Sequence, residues 1–477
     1  MKDLIYAKSG HGYLYSESKN SFLFIPPGFI SDTNDSESDT DYYKRKQAFW
    51  EEKGVFTPEK RNLDTAYDTA YIESNLANLR QLLIEVTDDC NLSCTYCGYG
   101  ELYGNYDKRK GKNQTFENVK ALIDYLAGLW LSDKNISFDT IIYIGFYGGE
   151  PLLNFPLIKQ TIDYLETIPI EGLKFEYNMT TNGVLLSRYM DYLAEKEFHL
   201  LISLDGTREN NSYRVTKSGK ESFDTIISNV QKLQETYPDY FEAFVGFNSV
   251  LHNRNSVASS YEFIKQLFNK KTSIGELSYS GIVEEQREAF ATMFTEKSAS
   301  MKQAMNCEAV VEDLFGIDPQ TMQLSNFFEA YTDHTYRSLP DLFFKKDTIT
   351  YLPTSTCPPF YKKIFLTVNG KILPCEKIGQ RTPLGSVTNG VVELHSEEIK
   401  KIYMKLYGDI IRQCEKCYAW KNCGCCIYLF NANKEGKIVC DRFFGKKEII
   451  AYFADALSTL EEKPEYYEKI SKELTID

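Results

Sequence analysis

From about residue 80 to residue 285 the chain alternates strand-like and helix-like runs six times, and this alternation constrains the fold more than any other feature. Strand candidates are 81–87, 140–147, 173–179, 199–204, 243–250 and 275–280. Between them Phe116, Val119, Ile123, Leu126 and Trp130 recur at three- and four-residue steps behind a Thr115 cap, and 154–168, 187–196, 222–235 and 256–268 continue the helical series. Six βα units predict an α/β fold in which a parallel sheet curls into a partial (β/α)6 TIM-like barrel, with its chemistry at the carboxyl ends of the strands. The polar signals fall there: a cysteine loop at 87–98, Gly148-Gly149-Glu150, Thr181-Asn182-Gly183, Asp205-Gly206 and His252, the last read as a capping or satisfied histidine.

The cysteine loop carries Cys90, Cys94 and Cys97 and leaves an apolar run (Leu82, Leu83, Ile84, Val86). Three thiolates so spaced can converge on one iron-sulfur cluster and leave one iron of a 4Fe-4S cube open. An open iron can hold a small chelating ligand and pass it an electron. On spacing alone the alternative is a zinc site or buried thiols.

Asn91 after the first cysteine, Tyr96 before the third, and Gly148-Gly149-Glu150-Pro151 at the end of the next strand resemble the radical S-adenosylmethionine (SAM) superfamily. The resemblance implies that the three cysteines hold the cube, that SAM's amine and carboxylate chelate the fourth iron, and that electron transfer cleaves SAM to a 5'-deoxyadenosyl radical. Carried over by position, Gly148 and Gly149 let backbone approach the methionyl amine and Glu150 balances its charge. Asn182 and Ser203 hydrogen-bond ribose or carboxylate groups, and Tyr96 covers the cluster or adenine. Ser203-Leu204-Asp205-Gly206 with Arg214 resembles the family's S-x-D-G and downstream arginine, the guanidinium suiting the SAM carboxylate. Strand caps and a surface ion pair are the plainer readings of Ser203, Asp205 and Arg214.

Eight of the 12 cysteines lie between Cys357 and Cys440, too dense for core packing. Cys414-x2-Cys417-x5-Cys423 taken alone looks like a zinc ribbon. Taken whole, Cys357, Gly370-x4-Cys375, Cys414, Cys417, Cys423, Cys425 or Cys426, and Cys440 resemble the SPASM extension of radical SAM enzymes, which carries two auxiliary 4Fe-4S clusters. That resemblance implies a distal cluster on Cys414, Cys417, Cys423 and Cys440, and a nearer one on Cys357, Cys375 and one of Cys425 and Cys426. The chain departs from the usual three-residue gap after the third cysteine of the block, so the choice between Cys425 and Cys426 stays open. If only one binds, the nearer cluster keeps an open iron; if both bind, it is closed. Glu376, beside Cys375, is a candidate base.

Five regions follow: an amino-terminal α+β domain (1–79), the radical SAM barrel (80–285), a bridging helical region (286–349), the SPASM domain (350–445) and a carboxyl-terminal helix (446–477). In the first, apolar pulses at 4–7, 13–15 and 22–25 predict short strands, 30–41 an acidic mobile loop and 42–53 a helix. This order resembles the RiPP recognition element, a module that docks a leader peptide as an added strand; a structural lid is the alternative. In the bridge, 284–305 and 308–314 are helix-like and Cys307 is a buried thiol; 446–460 packs across the cysteine module.

A net charge of −13 without a basic block argues against nucleic acid, and no apolar run reaches membrane-span length, so a cytoplasmic location is the default. The expected function is a radical SAM/SPASM maturase that crosslinks a ribosomally made precursor peptide. A thioether is the first choice and a carbon-carbon or carbon-oxygen bond the next. Its implied cofactors are three 4Fe-4S clusters and SAM, and its partners a precursor with a leader and a one-electron donor such as flavodoxin or ferredoxin. The alternatives are an anaerobic sulfatase-maturing enzyme that makes formylglycine, and a non-catalytic iron-sulfur or zinc scaffold.

Overall fold

The computed structural model describes residues 4–25, 37–57, 63–64, 66–137, 141–168, 172–303, 310, 313–314, 319–332, 352–433 and 435–473. Cys307, Phe343, Phe344 and most of 308–314 lie outside them. The core is a sheet in which six strands run parallel in chain order: β4 (Gln81–Thr87), β5 (Ile141–Gly148), β6 (Lys174–Thr181), β7 (His199–Ser203), β8 (Val245–Leu251) and β9 (Thr272–Glu276). The helix Phe116–Trp130 begins where the sequence placed its cap, Thr115 accepting from the Asn118 amide, and buries Val119, Leu122, Ile123 and Leu126 against the sheet. β9 starts three residues before its expected position because Thr272 pairs with Phe247 of β8. Residues 243 and 244, expected to begin β8, instead end a short helix, Pro238–Phe244, opened by Pro238 at its first turn.

The carboxyl-terminal parts of the six strands or the loops after them line one cavity, from the cysteines after β4 to Glu276 and Ser278 at the end of β9. Six flat strands about 4.8 Å apart would hold their outer loops too far apart for that. The sheet therefore curls, and it is open, since β4 and β9 do not pair.

The carboxyl-terminal third is fused to the barrel through its first strand. β10 (Ile364–Leu366) pairs in parallel with β4, matching Ile364 to Leu82, and β11 (Lys371–Leu373), β12 (Gly385–Thr388) and β13 (Val391–Glu393) extend the sheet antiparallel beyond it. Glu85 of β4 accepts from the Val368 amide at 2.9 Å, and Gln114 donates to the Thr367 carbonyl at 2.7 Å. The sequence reading described this third only by its cysteines, and neither its strands nor their junction with β4 was expected.

The amino-terminal pulses form a three-stranded antiparallel sheet, β1 (Leu4–Tyr6), β2 (Gly12–Ser16) and β3 (Ser21–Ile25). The following helix spans Glu37–Glu52, so the last residues of the expected acidic loop are helical. Residues 69–77, assigned above to the amino-terminal domain, form a helix whose Ile72 and Leu76 join the barrel core. The sheet packs on the helices Pro319–Tyr331 and Lys446–Glu462, which meet it with Phe327, Tyr331, Ile449 and Phe453. The carboxyl-terminal helix thus covers this sheet and also packs on the cysteine module as expected, against Tyr418 and Phe444.

Phe453 is fully buried with its ring 4.8 Å from Tyr15, 4.9 Å from Phe22 and 4.9 Å from Tyr331. Phe453→Ala is expected to cost about 3 to 5 kcal/mol. Hydrogen exchange should show β1–β3 losing protection while β4–β9 keep theirs.

Candidate functional site

The cysteine loop is held from both sides. Asp88 accepts from the Lys110 and Lys112 amides at 3.1 and 2.7 Å, and Ser93 and Thr95 donate to the carbonyls of Val215 and Tyr213 at 2.7 and 3.3 Å. Beneath it, the Gly149 amide donates to Thr87 O at 2.9 Å and the Glu150 amide to Asp89 O at 2.8 Å. A Cβ on Gly149 would lie 1.9 Å from Asp89 O, and one on Gly148 2.1 Å from Thr87 O. Gly148 has φ 135°, in the range that favours glycine. Both glycines are therefore required by the passage of the cysteine loop over the end of β5, a reason additional to the cofactor approach read from the sequence.

Cys90, Cys94 and Cys97 face a cavity of about 300 Å³, together with Gly148, Gly149, Asn182, Ser203 and Arg214. Tyr96 and Glu376 line it as well. Asn182 donates to Asn91 Oδ1 at 2.7 Å and sits 3.7 Å from Cys90 Sγ. Burial pushes the Cys94 thiol up to about 12 and raises Cys90, so metal binding there must displace protons.

Two expected cofactor contacts stand behind the cavity wall. Glu150 is fully buried and accepts from Thr181 Oγ1 at 2.8 Å and from the Asn182 and Leu152 amides at 2.8 and 3.1 Å. It ties the end of β5 to the end of β6, where the sequence reading had it facing the SAM amine. Asp205 is also fully buried. Arg214 donates to it through Nε and Nη2, both at 2.9 Å, the Val250 amide donates at 2.8 Å, and Tyr96 OH donates as well. Burial works to raise the Asp205 carboxyl, but Arg214 together with His252 and Tyr96 outweighs it and holds the group at about 2. The fork that the sequence reading gave to a SAM carboxylate is taken by Asp205, and the ion pair is buried where the plainer reading had it on the surface.

His252, read from the sequence as a capping or satisfied histidine, is fully buried in this network. Its Nδ1 accepts from the Arg254 amide at 3.1 Å, its Nε2 lies 3.6 Å from Asp205 Oδ2, and its ring stacks 5.6 Å from Tyr96.

Sequence reasoning missed Arg109, Tyr99 and Tyr106, which line the cavity. Their signal was position alone: they follow the third cysteine within a stretch that has neither helical nor strand periodicity.

In the carboxyl-terminal third Cys414, Cys417, Cys423, Cys425 and Cys440 line a second cavity of about 220 Å³. Cys426 is outside that wall and interacts with Cys357, beside Thr356, whose Oγ1 accepts from the Ile427 amide at 2.7 Å. Cys375 lies 3.5 Å from Glu376, which is paired with Lys363 at 3.1 Å, and burial pushes its thiol up to about 12. A third cavity, of about 640 Å³, is walled by Cys425, Cys426 and Lys377 and shares Val250, Glu276, Leu277 and Ser278 with the first.

A single tetrahedral ion would draw its thiolates to within about 4 Å of one another. Among the described residues no three His, Cys, Asp or Glu side chains gather that way. Thiols arranged around a cavity fit a larger, polynuclear iron-sulfur group.

Glu150 generates a pH test. Burial raises its carboxyl from 4.5 to about 7. A folded-state value above the unfolded one means that the associated stability is complete below the unfolded value and lost as pH rises through the folded one. From about pH 5 to about pH 8 the parent protein should lose up to about 3 kcal/mol relative to Glu150→Gln in denaturant unfolding. A pH-independent difference would refute this.

The sequence profile of the radical SAM superfamily matches residues 84–257. The radical SAM cyclopropyl synthase TigE of Paramaledivibacter caminithermalis is 28% identical over 180 residues, 36% of this chain and 35% of that protein. A cysteine-type anaerobic sulfatase-maturating enzyme of Clostridium novyi is 25% identical over 168 residues, 35% of this chain and 43% of that protein. The alignments thus span less than half the length of these two relatives. The solved structure of native anSMEcpe with bound AdoMet and Cp18Cys peptide superposes with a TM-score of 0.52 at 16% identity, covering 82% of this chain and 99% of that one, a likeness of fold. On the matched residues, the cysteine loop and the fold, this chain carries a radical SAM domain, whose family works through a 4Fe-4S cluster and SAM.

Proposed function

We propose that the protein is a peptide-modifying radical SAM enzyme with two auxiliary iron-sulfur clusters. The observation that carries this reading is the wall of Val250 and Glu276 to Ser278, shared by the cavity of the cysteine loop and the larger cavity beside Cys425 and Cys426. An extended substrate held there reaches both sets of thiols.

Cys90, Cys94 and Cys97 would hold the first cluster, and Gly148, Gly149, Asn182, Ser203 and Tyr96 would hold SAM against it. When bound, the reduced cluster and SAM supply a 5'-deoxyadenosyl radical that takes a hydrogen atom from the substrate. Glu150 orients Asn182, and Asp205 fixes Tyr96 and Arg214 behind the site. Glu376 is the carboxylate placed to take a proton from a substrate group. Cys414, Cys417, Cys423 and Cys440 would hold the distal cluster, and Cys357, Cys375 and Cys426 the nearer one, with Cys425 staying on the distal side.

The substrate in this reading is a ribosomally made precursor peptide and the product a crosslink, a thioether first and a carbon-carbon or carbon-oxygen bond next. Among the described residues β3 pairs only with β2, so its outer edge can take an added strand from a leader peptide. Flavodoxin or ferredoxin would supply the electron. No described helix is long and apolar enough to cross a membrane, which accords with work in the cytoplasm.

A second reading, maturation of a sulfatase active-site residue, draws equal support from the similarity to the Clostridium novyi enzyme. The amino-terminal sheet favours the first, because oxidation within a short local motif needs no separate leader site.

Anaerobically reconstituted protein should hold about twelve irons, and a Cys90/Cys94/Cys97→Ala variant about eight, with 5'-deoxyadenosine formation lost. Cys426→Ser should lower the iron count or expose a spectroscopically altered cluster, whereas Cys425→Ser should leave the count intact. Mass loss in a cysteine-containing precursor, set against oxidation of a sulfatase-motif peptide, decides between the two readings. Zinc in place of iron, or no 5'-deoxyadenosine from the parent protein, would overturn both.

A further inference from the structure

Arg109 follows the cysteine loop among lysines, yet the fold carries its guanidinium into the cavity wall. Its Nη2 donates to Cys97 Sγ at 3.4 Å. Its Nε is buried and has no hydrogen-bond partner. The guanidinium lies 4.6 Å from the centre of the Tyr99 ring, which fixes its plane.

The other arginine at the cavity, Arg214, is neutralised by Asp205 at 2.9 Å. Arg109 differs, since among the described ion pairs no carboxylate lies within 4 Å of it. Two carboxylates that feel its charge are engaged elsewhere: Asp89 is bound by Lys217 at 2.6 Å, and Glu85 accepts from the Val368 amide at 2.9 Å. The side chain is only partly buried, but its Nε is sealed off without a partner, and an anionic group beside the guanidinium would balance its charge. The atom it already touches is a thiol of the cysteine loop.

We propose that Arg109 is a positioning residue for the iron-sulfur cluster: it donates to the Cys97 thiolate and supplies the positive charge that makes the cluster easier to reduce. This rests on the assignment of Cys90, Cys94 and Cys97 as iron ligands. A hydrogen bond and a cation at a ligand sulfur both favour the more negative, reduced state, so they shift its one-electron reduction to higher potential. No bond is made or broken in the substrate by this residue; the electron comes from the external donor.

The test is a redox titration of the reconstituted full chain and of Arg109→Gln and Arg109→Lys, with dithionite as reductant. The paramagnetic signal that changes on adding SAM identifies this cluster among the others. At a fixed potential Arg109→Gln is expected to lower the ratio of reduced to oxidised cluster about tenfold, which is about 59 mV for one electron. Arg109→Lys, which keeps the charge and loses the fork, should show a smaller drop of about threefold. Iron content and the SAM-responsive signal in the parent protein check the ligand assignment itself, so its failure is distinct from failure of the proposal. Unchanged potential in an iron-loaded Arg109→Gln overturns the proposal, including where SAM binding weakens, since the guanidinium would then serve the SAM carboxylate. Should Arg109→Gln fail to hold iron, an unchanged potential in Arg109→Lys overturns it equally.

Discussion

The contact on which the site depends is backbone against backbone. The carbonyls of Thr87 and Asp89 lie where side chains of Gly148 and Gly149 would begin, and the amides of Gly149 and Glu150 donate to those same carbonyls. Close approach and hydrogen bonding reinforce each other only where no Cβ intervenes. The cysteine loop is thereby fastened to the end of β5, and the three thiols are presented as one wall.

From that junction outward the site is braced by buried polar groups whose partners lie on neighbouring strand ends and the loops after them. Glu150 joins the ends of β5 and β6, while Asp205 joins Tyr96 of the cysteine loop to Arg214 and to the Val250 amide on β8. A buried carboxylate left without donors would be expensive, so such groups hold their elements in register. Their acidity diverges for a clear reason: Glu150 has only neutral donors and burial raises it to about 7, whereas Asp205 has a guanidinium and is held at about 2.

Much of this was legible in the sequence. The six parallel strands, the cap at Thr115, the cysteine loop and the gathering of Asn182, Ser203 and Tyr96 around it followed from periodicity, local capping and family resemblance. The roles of Glu150 and Arg214 were misplaced, because a motif states which residues lie near a site and not which way their side chains turn. Arg109 was missed for the complementary reason. Its importance comes from its contact with Cys97 Sγ, with no carboxylate within 4 Å among the described ion pairs, a three-dimensional fact. That Cys425 lines two cavities and Cys426 only one of them likewise depends on how one short loop is folded.

The sequence by itself determined the alternation that builds the sheet, and it determined the spacing that allows three thiols to meet, because both are local properties of side-chain pattern. Only the tertiary structure decided that β10 joins β4 and that the carboxyl-terminal helix covers the amino-terminal sheet. It alone decided which charges at the cavity are neutralised. Those outcomes depend on pairings between residues far apart in the chain, where many partners are chemically acceptable and packing selects one.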